Sequence, residues 1–464
     1  MKQITSLFFF ILLICSYQYI FSQSKTGNIW YFGSYAGLDF NSGAPVVIDD
    51  SAMGQWEGCA SISDQNGNIL FYTNGVTIWN KTHSLMVNGN SLLGDYSASQ
   101  SAIIVQKPKS DYLYYVFTCD NNDAIGDPDT TDGVNYSLVD MSLDSGKGAV
   151  IVKNELLLKR STEKLCCIKH SNNNDVWIIT HELDSNKFCS FLLTMDSINT
   201  SPIVSYSGYN HTWYNHYGCM KGSHNGEKIA VAIAQDRCQL LNFDNSTGIV
   251  SNPMTVLGDF GWNSPTGIYG VEFSPNDSIL YISAYDSSSA SLYQLDISLP
   301  TEGDIVNSEI LLCHYEGVLG STLQIGPDGK IYLAHVLNDY IGVVNNPNTY
   351  GFGCNYIDSA IYLNGNKSNF GLPNFINDQF NDNFSSSKRI ITLDSDIRVF
   401  PNPTTRKITI EAEGVESIEV INLQGKQIYK GKETEIDLST QPKGIYIIKV
   451  ITDKQTISQK LIKQ

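Results

Sequence analysis

Basic residues are scarce in this chain: 30 Lys and Arg stand against 47 Asp and Glu, a formal net charge of −17. The imbalance lies outside the C-terminal stretch, where residues 399–464 hold ten Lys or Arg and eight Asp or Glu, so residues 23–398 carry about −20. So acidic a surface repels phosphate backbones and argues against nucleic acid. It suits bound divalent cations or simple solubility. Motifs of the common catalytic classes are missing too. No CxxC spacing occurs, nor HExxH, GxSxG, a phosphate-binding GxxxxGK or a paired zinc motif. Long apolar runs are also lacking. Leu7 to Ile14 is an unbroken run of eight, too short for a confident membrane span, and no second long run follows. It sits between a basic start, Met1-Lys2-Gln3, and Phe21-Ser22-Gln23, with small Ser22 at the last removed position. That is the layout of a secretory signal peptide over residues 1–22. Cys15 follows Ile14 rather than a small residue, which argues against a lipid anchor. The mature chain is expected to be soluble until something attaches it.

Nine cysteines remain after Cys15, an odd number, so at least one is free or intermolecular. Cys59, Cys119, Cys189 and Cys238 lie in or beside strand-like runs. Cys166 and Cys167 are adjacent and point to opposite faces of any strand. Most read as small buried apolar residues. One or two disulfides fit the count, and the sequence does not pair them.

What the chain does have is a repeat. Each unit is a turn rich in Asn, Asp, Gly or Ser followed by an apolar strand. Asp64-Gln65-Asn66-Gly67-Asn68 leads into Ile69–Thr73, and Lys109-Ser110-Asp111 leads into Tyr112–Thr118. Asn172–Asp175, His224–Lys228, Ser274–Ser278 and Pro327–Lys330 lead into strands starting at Val176, Ile229, Ile279 and Ile331. Asn28–Gly33 is a seventh strand without a leading turn. Successive core strands start about 50 residues apart, the length of one four-stranded blade. Small residues recur in a further strand, as Gly58-Cys59-Ala60-Ser61-Ile62, Gly218-Cys219-Met220-Lys221 and Gly270-Val271-Glu272-Phe273, which suits crowding near a central channel. The expected fold class is all-β: a seven-bladed β-propeller over residues 23–376, a linker over 377–398 and a small immunoglobulin-like β-sandwich over 399–464. Six or eight blades, a β-helix or a stack of sandwiches are the alternatives.

Ser274-Pro275-Asn276-Asp277 and Pro327-Asp328-Gly329-Lys330-Ile331-Tyr332 resemble the turn-strand units of WD40-like and YVTN-type propellers. Trp30-Tyr31-Phe32-Gly33, Gly37–Phe40, Glu57–Ala60, Leu70–Gly75 and Gly371-Leu372-Pro373-Asn374-Phe375 are similar to the propeller region of exported Bacteroidetes proteins linked to gliding motility. Those relatives often carry further adhesion-type modules after the propeller; between the propeller and the tail the expectation here is only the linker, which argues against a direct gliding role.

The tail alternates apolar and polar residues in Lys407–Glu411, Ser417–Ile421, Gly444–Val450 and Thr456–Ile462, the pattern of half-buried strands. Its Val399-Phe400-Pro401-Asn402-Pro403 start, its Leu423-Gln424-Gly425-Lys426 turn, Gly444 with Tyr446 and Lys449, and the closing Lys460-Leu461-Ile462-Lys463 resemble the type A C-terminal sorting domain of type IX secretion. The resemblance makes Pro401, Asn402, Pro403, Gly425, Gly444, Tyr446, Lys449 and Lys460 the sorting signal. It implies a translocon and a sortase-like protease as partners, passage through the periplasm, and release or attachment to surface lipopolysaccharide.

Two stretches are candidate binding sites. Tyr209–Tyr217 mixes aromatics with amides, and His211, Trp213, Tyr214 and His216 could stack on sugar rings or anchor a protein. Packing between blades explains them equally well. Asp120, Asp123, Asp127, Asp129 and Asp132 are dense enough to chelate calcium, a hard cation that takes oxygen ligands, although the EF-hand order is absent. A solvated loop is the plainer reading. No catalytic residue is assigned and no other cofactor is implied. The expected function is recognition of an extracellular glycan or protein, with a polysaccharide-active enzyme or a structural part of surface motility machinery as alternatives.

Overall fold

The chain divides into two compact units, Met1–Ser386 and Ser387–Gln464. The computed structural model describes residues 24–121, 131–258, 267–286, 289–316 and 321–380 of the first. In the second it describes 398–402, 404–412, 414–422, 426–452 and 456–463. The expected signal peptide and residues 381–397 of the expected linker lie outside these.

Among the described residues, the first unit holds seven antiparallel sheets met in chain order, the first two with three strands and the others with four. The strands marked by the sequence repeat are the second strands of sheets two to seven, such as Ile69–Thr73, Val176–Glu182 and Ile279–Tyr285. The turns before them form for local reasons. The Asp64 carboxylate accepts the backbone N–H groups of Asn66 and Asn68 at 2.8 and 2.9 Å. Gly67 takes φ +87, where a side chain would be strained.

These second strands are continuous apolar runs because each sheet is covered on both faces. Ala230, Leu240 and Val256 of the fifth sheet share a core with Phe273, Leu280 and Leu295 of the sixth. Trp30 and Phe40 of the first share one with Tyr332 and Ile341 of the seventh. Successive sheets packed face to face, with their inner strands side by side, make this unit a β-propeller. The small residues noted in the sequence are needed where inner strands meet. A Cβ on Gly58 would lie 2.3 Å from the Ser101 nitrogen, and one on Gly270 would lie 2.4 Å from the Ser321 oxygen.

The propeller has two unlike ends. The links between first and second strands and between third and fourth strands form one, the turn face. The connections between sheets, with the links between second and third strands, form the other, the loop face.

The last part of this unit does not fold outside the ring. Ser34 N–H donates to the Lys367 carbonyl at 2.8 Å, and the chain then runs from the loop face to the turn face among the inner strands. Phe370 N–H donates to the Trp56 carbonyl at 2.9 Å, and Thr322 N–H donates to the Phe370 carbonyl at 2.9 Å. Asn374 N–H donates to the Cys59 carbonyl at 2.8 Å, and its side-chain amide to the Ala102 carbonyl at 3.1 Å. Asn377 N–H donates to the Cys167 carbonyl at 3.1 Å, and its side-chain oxygen accepts the Lys169 N–H at 2.9 Å. The Asn377 amide also donates to the Ser223 carbonyl at 2.7 Å. Phe375 and Phe380 pack 5.2 Å apart, the former 5.9 Å from Trp30. This axial strap, residues 369–380, leaves a cavity of only about 20 Å³ beside Lys221, Glu272 and Gln324. The packed unit therefore extends to Phe380, four residues into the stretch read as linker.

All nine described cysteines are free, and eight of them are buried. Among the described residues helical structure is confined to short pieces, with Thr301 capping the helix Glu302–Asn307 through a bond from the Asp304 N–H.

Among the described residues the second unit has two sheets. One is Arg398–Phe400, Lys407–Glu411 and Glu435–Asp437. The other orders Gln427–Gly431, Val415–Asn422, Gly444–Thr452 and Thr456–Lys463. Ile408, Ile410, Val420, Ile448 and Leu461 fill one core between them. Of the expected sorting-signal residues, the Asn402 side-chain oxygen accepts the Ile462 N–H at 2.9 Å. Gly444 opens its strand, and buried Tyr446 donates its hydroxyl to the Pro442 carbonyl at 2.7 Å. Pro401 precedes Asn402, and Lys449 pairs with Glu419 across the sheet. Lys460 pairs with Ile447 in backbone register, while Pro403 and Gly425 lie outside the described residues.

Gly371 offers a direct check on the strap. A Cβ there would lie 1.4 Å from the Glu57 carbonyl oxygen, which belongs to rigid backbone. Gly371→Ala should lower stability by about 2 kcal/mol or more, since overpacking against backbone has no cheap relief. Denaturant unfolding of the variant measures it, and an unchanged midpoint would contradict the path of the strap.

Candidate functional site

The candidate aromatic residues gather at the loop face, where the connections between sheets end. The outer strand of the fourth sheet ends at His211, and residues 212–219 cross to the inner strand of the fifth. Within this loop Asn215 accepts the Thr212 N–H at 2.7 Å, and the His216 Nδ1 lies 2.5 Å from the Trp213 carbonyl.

Of the four aromatic-loop candidates, Trp213, Tyr214 and His216 lie together in the loop and His211 is set apart. His216 Nε2 meets the Glu163 carboxylate at 3.2 Å, and both are buried. Glu163 also accepts from the Ser99 N–H and hydroxyl at 2.8 and 2.7 Å. Burial works against its charge, but His216 and Ser99 outweigh it and hold the carboxyl below its usual range. Neighbouring Lys164 donates to the His216 and Tyr217 carbonyls, each at 2.8 Å, and burial pulls its pKa down to about 7 against the pull of Glu163. His211 is elsewhere. It stacks on His181 with ring centroids 3.7 Å apart. Burial first, then Lys164, pushes His181 down to about 3, and burial with His181 holds His211 well below its usual value. The two histidines part because the strand stops at His211 and His216 lies in the loop beyond. Trp213 and Tyr214 remain at the loop face with rings 5.1 Å apart, Tyr214 half exposed.

A second group surrounds the mouth of the channel. Phe370, at the start of the strap, lies 5.7 Å from the Trp56 ring and 5.5 Å from the Tyr269 ring. The Tyr269 hydroxyl donates to the Glu57 carboxylate, which also accepts from the Ser97 hydroxyl at 3.1 Å. The hydroxyls of Tyr217 and Tyr285 are 3.0 Å apart, and Gln235 donates to Tyr217 at 2.8 Å. Sequence reasoning missed this cluster because its members are scattered over 300 positions. The available signal was positional, since Trp56, Glu57 and Tyr217 directly precede inner strands.

The other candidates are tied into structure. His335 Nε2 lies 3.0 Å from the Asp358 carboxylate, whose bond to His335 keeps it below its ordinary range. Asp120 accepts from the Thr131 hydroxyl at 3.0 Å and the Asp132 N–H at 2.6 Å, and Asp132 lies 3.9 Å from Lys159. Asp123, Asp127 and Asp129 lie outside the described residues. Among the described residues no group of three or more His, Cys, Asp or Glu is placed to hold a metal ion. No helix among them is long and apolar enough to cross a membrane.

Residues 398–464 match the family described as the secretion system C-terminal sorting domain. The tail is a sorting domain. It implies that the chain is exported and that it engages the type IX secretion machinery. No curated protein matches the chain. Among solved structures, a Lactobacillus plantarum protein is similar at 10% identity and TM-score 0.44, over 75% of this chain and 99% of that one. A quinonprotein alcohol dehydrogenase-like protein from Bacteroides thetaiotaomicron is similar at 12% identity and TM-score 0.38, over 75% and 76%. The Cps50 (Swd1) β-propeller domain of Myceliophteria thermophila is similar at 9% identity and TM-score 0.38, over 67% and 94%.

The His181–His211 stack predicts an acid limit. Both imidazoles are held neutral in the folded chain and accept protons near pH 6.5 once unfolded. The unfolded state therefore binds more protons below pH 6.5, and stability falls as pH drops from there toward 3. His181 should cost roughly 3 kcal/mol between pH 6.5 and 4, and His211 acts in the same direction. Melting curves of the wild type and His211→Gln over that range test this. Equal slopes for the two proteins would refute it.

Proposed function

We propose that this exported protein is a seven-bladed β-propeller that recognises an extracellular glycan or protein through its loop face, without chemistry of its own. The type IX machinery delivers it to the cell surface or the medium, and a sortase-like protease removes the tail. The observation that supports this reading is the aromatic and carboxylate ring of Trp56, Glu57, Tyr217, Tyr269, Tyr285 and Phe370 around a channel mouth that the chain itself stops up. Flat rings beside hydroxyls, amides and a carboxylate match the faces and hydroxyls of sugars, and match protein anchors equally well. The opposite end is committed to structure. His224 Nδ1 and N–H both reach the Asp277 carboxylate, at 2.9 and 2.8 Å, and the Asn276 N–H reaches the Asn348 side chain at 3.0 Å. Trp213 and Tyr214 extend the loop-face surface toward the fourth and fifth sheets. A calcium ion at Asp120–Asp132 is a separate proposal, tested by calcium titration with the melting temperature as readout.

Two measurements follow from this reading. Full-length protein and a version ending at Arg398 should be expressed in a host with type IX secretion and fractionated. The full-length form should reach the surface or medium without its tail, and the short form should stay in the periplasm. Equal export of both with the tail intact would overturn the delivery part. Binding to a panel of extracellular polysaccharides and surface proteins should then weaken about tenfold or more in Trp56→Ala, as loss of a buried aromatic anchor requires. Unchanged binding would move the site away from the mouth. Turnover of any polysaccharide by the wild type would instead favour the enzyme alternative.

A further inference from the structure

The propeller's ends do not exchange strands. Among the described residues the first sheet contains only Ile29–Phe32, Ala36–Asp39 and Val46–Ile48, and the last only strands between Leu323 and Tyr362. The first sheet is also short on its inner side. Ile29–Phe32 begins at the turn face, where Gly27 meets Phe380, and ends at the loop face, where Ser34 pairs with Lys367. That is the direction of a second strand, not of an inner one.

We propose that the axial strap, residues 369–380, is the latch that closes the ring by taking the inner-strand place the first sheet lacks. At the loop face it lies between Thr322 of the seventh sheet's approach and Trp56 to Cys59 of the second's, hydrogen-bonded to both. The seventh and second sheets are the neighbours an inner strand of the first would have. Pro373 pairs in parallel with Cys59, as adjacent inner strands run. Farther down, Asn374 and Asn377 bond the inner strands of the third and fourth sheets and the turn after that of the fifth. Phe375 and Phe380 pack toward Trp30 and Gly27 of the first, and the Gln379 amide meets the Thr26 hydroxyl at 2.5 Å.

One segment thus touches all seven sheets, the sixth through the Phe370–Tyr269 ring contact, and its two asparagines answer carbonyls of the inner strands. The strap also supplies Phe370 to the channel mouth, so the shape of the mouth depends on the latch. This inference stands on the geometry of the first unit alone, whatever the mouth binds.

A latch and a mere filler differ in reach. Asn377 touches the fourth and fifth sheets, far around the ring from the seam between the first and seventh. Native-state hydrogen exchange on the full chain separates the two ideas. In the wild type the Asn374 and Asn377 amides should exchange as slowly as those of the inner strands. In Asn377→Ala, exchange should rise about tenfold or more in Ile29–Phe32 and Ile331–Leu333, which Asn377 does not contact. Gln379→Ala, at the partly exposed end of the strap, should show the same seam opening more weakly and guards against a variant that fails to fold. Exchange raised only around Lys169 and Ser223, or wild-type strap amides exchanging like exposed loops, would overturn the proposal.

Discussion

Ring closure is the constraint on which the propeller depends. Seven sheets packed face to face bury their apolar faces against one another, but the first and last must still be held together. Here that seam is joined by the aromatic core of Trp30, Phe40 and Tyr332 and by a strand-like strap threaded along the axis. The strap fills the channel, so the channel centre holds Phe375, Asn374 and Asn377 rather than solvent. Its passage beside Glu57 requires glycine at position 371.

The two ends of the propeller follow from that arrangement. Turn-face residues spend their polar groups on neighbouring sheets: Asp277 on His224 and Asn225, Asn276 on Asn348, and the Trp177 indole on the Asn245 carbonyl. Loop-face residues come from the connections between sheets, and they surround a mouth floored by the strap. Binding chemistry therefore concentrates where architecture demands least. The buried Lys221–Glu272 pair links the inner strands of the fifth and sixth sheets, and the Glu163–His216 pair ties the inner strand of the fourth to the loop before the fifth.

The repeat was legible because each turn and second strand is a local event. Asp64 bonds residues two and four positions ahead, and Ile229–Ile233 is apolar throughout because both its faces are covered. The glycines of the inner strands were legible for a similar reason. The candidate site was mostly not. His211 and His216 are five residues apart, yet one faces His181 in the core and the other is fixed to Glu163, a partner 53 positions earlier. Nothing in the local pattern marks those choices.

By itself the sequence determined the all-β class, the succession of turn and strand units, the sorting tail and the acidic, motif-poor character that excludes several functions. These depend on alternation, turn chemistry and composition, which act over a few residues. Tertiary structure alone decided that Gly371–Asn377 lies along the axis, that its aromatic neighbour Phe370 meets Trp56 and Tyr269, and that two of the four aromatic-loop candidates are internal. Those outcomes rest on hydrogen bonds and packing between residues up to about 300 positions apart, such as Phe370 to Trp56, and no local pattern encodes such distances.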